Sequence, residues 1–242
     1  MSEPLDPDAV EGFRRAREAV LERIAEAAAR AGRDPSGVTL VAVSKTVPAS
    51  RVRAAVAAGL TVLGENRVQE AEEKAPGVDG ASWHLIGPLQ GNKTRRAVAL
   101  FDMVQSVDSP GLARRLATLA AEQRPGRPLP VLLQVNVDAD PAKAGWSPND
   151  LSRDAEELGR LGGLDVRGLM TIGRLVATPE EARPTFAALR DLGERLRGGA
   201  WPGLGKDLSM GMTGDYATAV EEGATIVRVG RALFGERHPH HH

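Results

Sequence analysis

Strand-like and helix-like segments alternate along almost the whole of this 242-residue chain, and no other feature restricts its fold as strongly. Short apolar runs predict eight strands, and the amphipathic segments between them predict helices. The strands are expected near 38–45, 61–64, 82–86, 101–105, 130–136, 164–169, 207–210 and 225–229. The helices are expected near 49–58, 67–74, 92–99, 110–122, 148–160, 179–197 and 215–222. A longer helix precedes them, beginning at Asp6-Pro7 and ending at Gly32.

Strict alternation of this kind implies parallel βαβ units. Eight units in about 200 residues predict an α/β fold that closes into a (β/α)₈ TIM barrel, and a doubly wound open sheet is the alternative. We expect one domain over residues 1–236, with an extra N-terminal helix and no second domain. The His-rich tail at 237–242 is expected to be part of an expression tag or disordered, which leaves His84 as the histidine available for chemistry.

The composition argues against several classes of partner. The net charge of −1 gives no electrostatic reason to expect nucleic acid or an anionic membrane surface. No segment reaches the roughly 18 consecutive apolar residues of a membrane-spanning helix. The chain has no cysteine, which excludes disulfides and thiolate metal sites, and no metal site is expected. We therefore expect a cytoplasmic protein.

Lys45 ends the apolar run 39–44 and so lies at the C-terminal end of the first predicted strand, the end at which barrels of this type carry their active sites. A half-buried lysine loses hydration, which favours the neutral amine and makes it able to condense with an aldehyde as a Schiff base. The alternative is a cation that only caps the strand. The chain takes few of its cations from lysine, since only Lys45, Lys74, Lys93, Lys143 and Lys206 stand among 31 basic residues, which favours a functional role.

The segment 208–215 (LSMGMTGD) places two hydroxyls and two glycines after the seventh strand, and Arg228 and Gly230 close the eighth. Glycines allow an anion to approach the backbone, and the loops after strands seven and eight often bind phosphate in such barrels. Ordinary turn chemistry is the alternative, because Gly, Ser and Asp are common turn residues. An amine and a phosphate site at one barrel mouth together suggest a ligand with an aldehyde and a phosphate, such as pyridoxal 5′-phosphate (PLP).

Seven motifs in the same order resemble the YggS/PROSC family of pyridoxal phosphate homeostasis proteins. They are residues 42–46 (AVSKT), 64–70 (GENRVQE), 83–93 (WHLIGPLQGNK), 134–136 (QVN), 168–172 (GLMTI), 208–215 (LSMGMTGD) and 227–235 (VRVGRALFG). The resemblance covers the chain from the first helix to Gly235. Three positions depart from the commonest family form, namely Arg67, Pro88 and Thr213; threonine keeps the hydroxyl.

The resemblance implies a fold-type III PLP barrel like the N-terminal domain of alanine racemase. It implies that PLP is bound as a Schiff base on Lys45, that Arg228 faces the pyridine nitrogen or reaches the phosphate, and that a charged arginine there keeps the ring nitrogen unprotonated. The implied phosphate-binding residues are Ser209, Thr213 and Gly230. Further pocket candidates are Asn66, His84 and Met170, although His84 is equally consistent with a histidine of the core.

The function implied by the resemblance is intracellular PLP homeostasis, in which the protein carries, buffers or delivers the cofactor without substrate turnover. No catalytic residue is assigned, and we expect a monomer that contacts PLP-dependent apo-enzymes transiently. The first alternative is a PLP-dependent amino-acid racemase or decarboxylase. A two-base racemase needs a second acid–base group opposite the lysine, and tyrosine is the residue expected in that role. The only tyrosine of the chain is Tyr216, beside the segment 208–215 that is predicted to bind phosphate. The second alternative is a barrel that binds a sugar phosphate and no PLP.

Overall fold

The computed structural model describes residues 4–235, and in this part of the chain eight parallel strands form a closed barrel in the order β1 to β8. The strands are β1 Thr39–Val43, β2 Val62–Glu65, β3 Ser82–Leu85, β4 Met103–Val107, β5 Leu129–Gln134, β6 Leu164–Met170, β7 Asp207–Ser209 and β8 Ile226–Val229. The predicted (β/α)₈ barrel is confirmed. The His-rich tail lies outside the described residues.

Helices surround the barrel. They are α1 Pro7–Arg30, α2 Ala49–Ala57, α3 Val68–Lys74, α4 Thr94–Leu100, α5 Pro110–Gln123, α6 Pro148–Gly159, α7 Arg183–Gly198, α8 Tyr216–Glu221 and α9 Arg231–Phe234. Short 3₁₀ turns lie at Pro35–Gly37, Ala75–Gly77, Gly91–Lys93 and Pro179–Ala182. No helix in the described part of the chain is long and apolar enough to cross a membrane.

Local sequence signals explain where several helices begin. Asp6, Ser109 and Ser147 each accept a backbone N–H at the start of α1, α5 and α6, and a proline follows each of them at the first helical position. The extra helix α1 packs on α2, α8 and α9, where the rings of Phe13 and Phe234 meet edge to face at 5.4 Å. This contact closes the junction between the first and last units of the barrel.

The fourth strand begins two residues later than the sequence pattern predicts, at Met103 instead of residue 101. The two preceding residues have other roles. Phe101 caps the end of α4, and a carboxylate oxygen of Asp102 accepts the backbone N–H of Trp83 at 2.8 Å. The apolar pattern of the sequence does not distinguish the end of α4 from the start of β4.

Strand register brings the ends of β8, β1 and β2 to one mouth of the barrel. Ala42 on β1 pairs with Val229 on β8, and Val43 pairs with Gly64 on β2. Residues just beyond these pairs are Lys45, Asn66 and Gly230. Because neighbouring strands lie roughly 4.8 Å apart, these three residues extend from adjacent strand ends.

We predict that Gly87→Ala destabilises the fold by about 1–3 kcal/mol, the usual cost of overpacking. A Cβ at Gly87 would lie 2.3 Å from the backbone oxygen of Asn66, so the loops after β2 and β3 would have to separate. Gly77→Ala is the matched control, because a Cβ at Gly77 meets nothing within 4 Å. Urea unfolding of both variants measures the effect, and equal losses would contradict this account.

Candidate functional site

Lys45 lies on a tight turn directly after β1. The turn spans residues 44–47 and is closed by a hydrogen bond from Val47 N to Ser44 O at 3.0 Å. Lys45 is half-buried, and Thr46 has a positive φ of 64°. The structure therefore places the predicted amine at the barrel mouth, as the sequence implied.

A cluster of charged groups, in which Glu65 and Lys74 are buried and Glu70 is partly exposed, contacts both residues that flank Lys45. The Ser44 hydroxyl donates to Glu65 Oε1 at 2.7 Å, and Lys74 Nζ donates to the same oxygen at 2.8 Å and to Ser44 O at 2.9 Å. On the other side, Thr46 N donates to Glu70 Oε2 at 2.8 Å. Burial raises the pKa of Glu65, although hydrogen bonds from Lys74 and Ser44 act in the opposite direction.

A second polar system crosses the barrel interior. Arg228 Nη1 on β8 donates to Ser209 Oγ on β7 at 2.6 Å, and Ser209 Oγ donates to Gln105 Oε1 on β4 at 2.6 Å. The Gln105 amide nitrogen contacts His84 Nδ1 on β3 at 2.9 Å. Because β4 and β7 are not neighbouring strands, the bond between Gln105 and Ser209 spans the interior.

The direction of each hydrogen bond in this series determines which tautomer His84 adopts. A guanidinium has only donors, so Ser209 accepts from Arg228 and gives its single proton to Gln105. The amide nitrogen of Gln105 then faces His84 and donates to Nδ1, which assigns the imidazole proton to Nε2. Burial lowers the pKa of His84 to about 4, so the ring is neutral at pH 7.

Arg228 is the most deeply buried cation of the site, with only 4% of its surface exposed. Its second guanidinium nitrogen donates to Thr171 O at 2.8 Å. Burial lowers the pKa of Arg228 to about 10, and the nearby carboxylate of Asp215 opposes the shift. The side chain therefore stays charged at neutral pH.

The loops after β7 and β8 lie against each other, as the phosphate-site hypothesis requires. Gly230 N is 3.3 Å from Thr213 Oγ1, and Arg228 N donates to Gly211 O at 3.0 Å. Gly211 has φ of 90°, and a Cβ there would lie 2.5 Å from the Ala219 Cβ, so a glycine is needed for the loop to pack on α8. Both of these backbone amides donate within the loops, whereas the Thr213 hydroxyl keeps its own proton and is a donor that suits a phosphate group beside a buried arginine.

The remaining predicted residues occupy different positions. Met170 is fully buried inside the barrel, in an apolar cluster with Val41, Leu132 and Ile226. Asn66 lies at the mouth, where it lines a cleft of about 780 Å³ between the loops after β2 and β3. The cleft also contains Arg67 and Pro88, two of the three positions that depart from the common family pattern.

The sequence did not reveal Gln105, which joins His84 to Ser209. A usable signal was present, since Gln105 and Ser106 are adjacent polar residues inside an otherwise apolar strand, and both are buried. A polar residue buried in a barrel strand requires a partner, and a partner across the interior is one solution. Among the described residues, no group of three or more His, Cys, Asp or Glu side chains is arranged to hold a metal ion.

Comparison with known proteins gives consistent matches over most of the chain. A family model described as the N-terminal domain of alanine racemase matches residues 16–238. The pyridoxal phosphate homeostasis protein of Pseudomonas aeruginosa is 48% identical over 223 residues, which cover 90% of this chain and 93% of the relative. The Escherichia coli protein of the same name is 39% identical over 229 residues, with coverage of 90% and 94%.

The chain belongs to the pyridoxal phosphate homeostasis protein family. A structure of the family member PipY from Synechococcus elongatus, with PLP bound, superposes with a TM-score of 0.77 at 44% identity and covers 88% of this chain and all of that one. Alanine racemase from Clostridium difficile superposes with a TM-score of 0.70 at 14% identity, over 96% of this chain and 58% of the racemase. That likeness confirms the barrel fold that the family shares with the racemase.

We predict that His84 makes the protein less stable at acidic pH. The pKa of His84 falls from about 6.5 to about 4 on folding, so the unfolded chain binds more protons between these values. The stability that neutral His84 contributes is complete above pH 6.5 and is lost as the pH falls toward 4, with a slope of at most about 1.4 kcal/mol per pH unit. Urea unfolding across this range should show a steeper decline for the natural protein than for His84→Gln, which has no proton to bind. Parallel profiles would contradict the assignment.

Proposed function

We propose that this chain binds PLP covalently, as a Schiff base on Lys45, and that it serves intracellular PLP homeostasis by carrying, buffering or delivering the cofactor. The proposal rests on one observation: the turn that bears the Lys45 amine, after β1, is next to β8, so it shares one barrel mouth with Arg228 and the Thr213 hydroxyl. Homologues named for PLP homeostasis, and a PLP-bound family member, support it.

The residues present suit this cofactor. PLP, when bound, supplies an aldehyde that condenses reversibly with an amine, and a phosphate that anchors the ring. Lys45 Nζ provides the amine, and the condensation releases one water. The Thr213 hydroxyl accepts from Gly230 N and keeps its own proton, which it would donate to the phosphate, and the direct phosphate contact that the resemblance implies for Gly230 stays a prediction. Ser209 gives its proton to Gln105, so its contribution here is to fix Arg228, and the phosphate contact that the resemblance implies for Ser209 stays a prediction.

The position and charge of Arg228 support the proposal that the protein binds PLP without turning over amino acids. Its guanidinium stays charged at neutral pH and is fixed by Ser209 and Thr171. We place it toward the pyridine nitrogen, where a cation keeps that nitrogen unprotonated and weakens the ring as an electron sink. Most chemistry that PLP performs on amino acids depends on that sink.

Tyr216 does not provide the second acid–base group of a racemase. Its ring is buried, and Arg23 of α1 lies over it at 5.6 Å from the centroid, so the side chain packs toward the outer helix. Burial also raises the pKa of the Tyr216 hydroxyl. In the proposed function the protein is a cytoplasmic monomer that contacts PLP-dependent apo-enzymes transiently, with Asn66, His84 and Met170 around the ring.

We predict that the purified protein, loaded with PLP and reduced with borohydride, carries the pyridoxyl group on Lys45. Peptide mapping should find it there because Lys45 follows β1, the strand next to β8 and the proposed phosphate site. Lys45→Ala should abolish the reduced adduct, whereas Lys206→Ala, which removes an exposed lysine, should leave it unchanged. An adduct on Lys93 or Lys143 would overturn the assignment, and no absorbance from PLP would favour a sugar-phosphate ligand.

We also predict that the PLP-loaded protein does not turn over amino acids. Common L-amino acids in deuterated water should show Cα exchange and racemisation far below about 1 per second, the lower end of ordinary enzyme rates. A PLP-dependent apo-enzyme should acquire the cofactor from the loaded protein faster than a passive PLP trap does. A turnover number within the enzyme range would instead establish a racemase or decarboxylase.

A further inference from the structure

The turn that carries Lys45 holds a threonine in a strained conformation. Thr46 is the third residue of the turn 44–47, and its φ of 64° lies in the left-handed region that glycine normally supplies at this position of a type II turn. For a β-branched residue this region is a genuine outlier, and such strain persists only where the surrounding structure enforces it. The contacts of this turn must therefore explain why it does not relax.

Two residues of α3 hold the turn from both ends. Glu70 accepts the N–H of Thr46, and Lys74 donates to the carbonyl oxygen of Ser44, which also accepts Val47 N to close the turn. Glu70 and Lys74 are four residues apart, so they lie on the same face of α3, with Lys74 Nζ 3.6 Å from Glu70 Oε2. One helix face thus contacts the residue before Lys45 and the residue after it.

The charged groups of this cluster contact the backbone of the Lys45 turn, and their hydrogen bonds to one another are incomplete. Lys74 Nζ is shared among Glu65, Ser44 O and Glu70, and its side chain is only 10% exposed. Glu65 is fully buried, and its second carboxylate oxygen has no hydrogen-bond partner in the described part of the chain. A buried ion pair is in general a weak source of net stability, whereas its geometry is well defined.

We infer that Glu70 and Lys74 are positioning residues that hold the Lys45 turn in the one backbone conformation able to present the amine to PLP. This inference rests on the proposed function. A turn that relaxes leaves only a fraction of molecules competent to bind, and the apparent dissociation constant rises by the inverse of that fraction. Glu70 thus affects cofactor affinity through the backbone at Thr46, without touching the cofactor.

The first test removes the acceptor for Thr46 N. Glu70→Ala should raise the apparent Kd for PLP, measured from the absorbance of the Lys45 adduct, about tenfold or more, as expected for the loss of a hydrogen bond to a charged group. Glu73→Ala is the matched control, because it removes the same charge from an exposed position on the same helix. An equal Kd for the two variants would overturn the inference. Substitution of Lys74 is less suitable, since it would leave Glu65 buried without a cation.

The second test asks whether Glu70 acts through the turn. Glycine adopts the left-handed region without steric cost, so Thr46→Gly should restore most of the affinity that Glu70→Ala removes. An unchanged loss in the Thr46→Gly background would show that Glu70 acts elsewhere and would contradict the inference. If Glu70→Ala alone does not fold, recovery of a folded, PLP-binding protein in the double variant supports the coupling, and failure of both variants to fold contradicts it.

The proposed function has its own control in the same experiment. The natural protein must bind PLP, and Lys45→Ala must lose the adduct, for the comparison of Glu70 variants to be made. Failure at that stage refutes the proposed function, whereas a normal result there combined with equal Glu70→Ala and Glu73→Ala affinities refutes only the positioning role.

Discussion

A charged guanidinium buried in the barrel is the constraint on which the rest of the site depends. Arg228 is desolvated, and burying an unpaired charge is prohibitively unfavourable, so its donors require fixed acceptors. Ser209 and the Thr171 carbonyl supply them from β7 and the loop after β6. Because Ser209 accepts from Arg228, its own proton must go to Gln105, and the amide of Gln105 then fixes the tautomer of His84. The hydrogen bonds that begin at this one buried cation therefore link four strands, β8, β7, β4 and β3.

The neighbouring part of the mouth, after β1, is organised differently. Lys45 is carried by a strained turn, and the groups that hold this turn belong to the next strand and helix, not to β1 itself. The arginine side is thus fixed by hydrogen bonds between barrel strands, while the lysine side is fixed through backbone contacts with α3. A ligand bound between them would contact Arg228, which is held by side-chain hydrogen bonds, and Lys45, which is held by the conformation of its turn.

The sequence predicted the barrel, the order of its elements and the mouth at which Lys45, Thr213 and Gly230 lie. These follow from periodicity and from topology, since parallel strands bring their C-terminal ends to the same side whatever the side chains do. The contacts of Gln105 and Lys74 were not predicted, because each depends on register and rotamer across a gap in sequence: Gln105 reaches Ser209, 104 residues away, and Lys74 reaches Ser44, 30 residues away. The strain at Thr46 was also hidden, since threonine carries no sequence signal for a positive φ.

These two neighbouring parts of the mouth have different consequences for a protein that, as proposed, both holds and releases a cofactor. In the proposed function, Arg228 lowers the reactivity of the ring toward amino acids, and its fixed position does not need to change during binding or release. The covalent bond proposed at Lys45 would be reversible by hydrolysis or by exchange with another amine, so retention would depend on how well the amine is presented. The Lys45 turn is therefore the element at which affinity can change without loss of the anion site, and α3, which borders an open cleft through Glu70, is the part of the molecule that reaches it from outside the barrel.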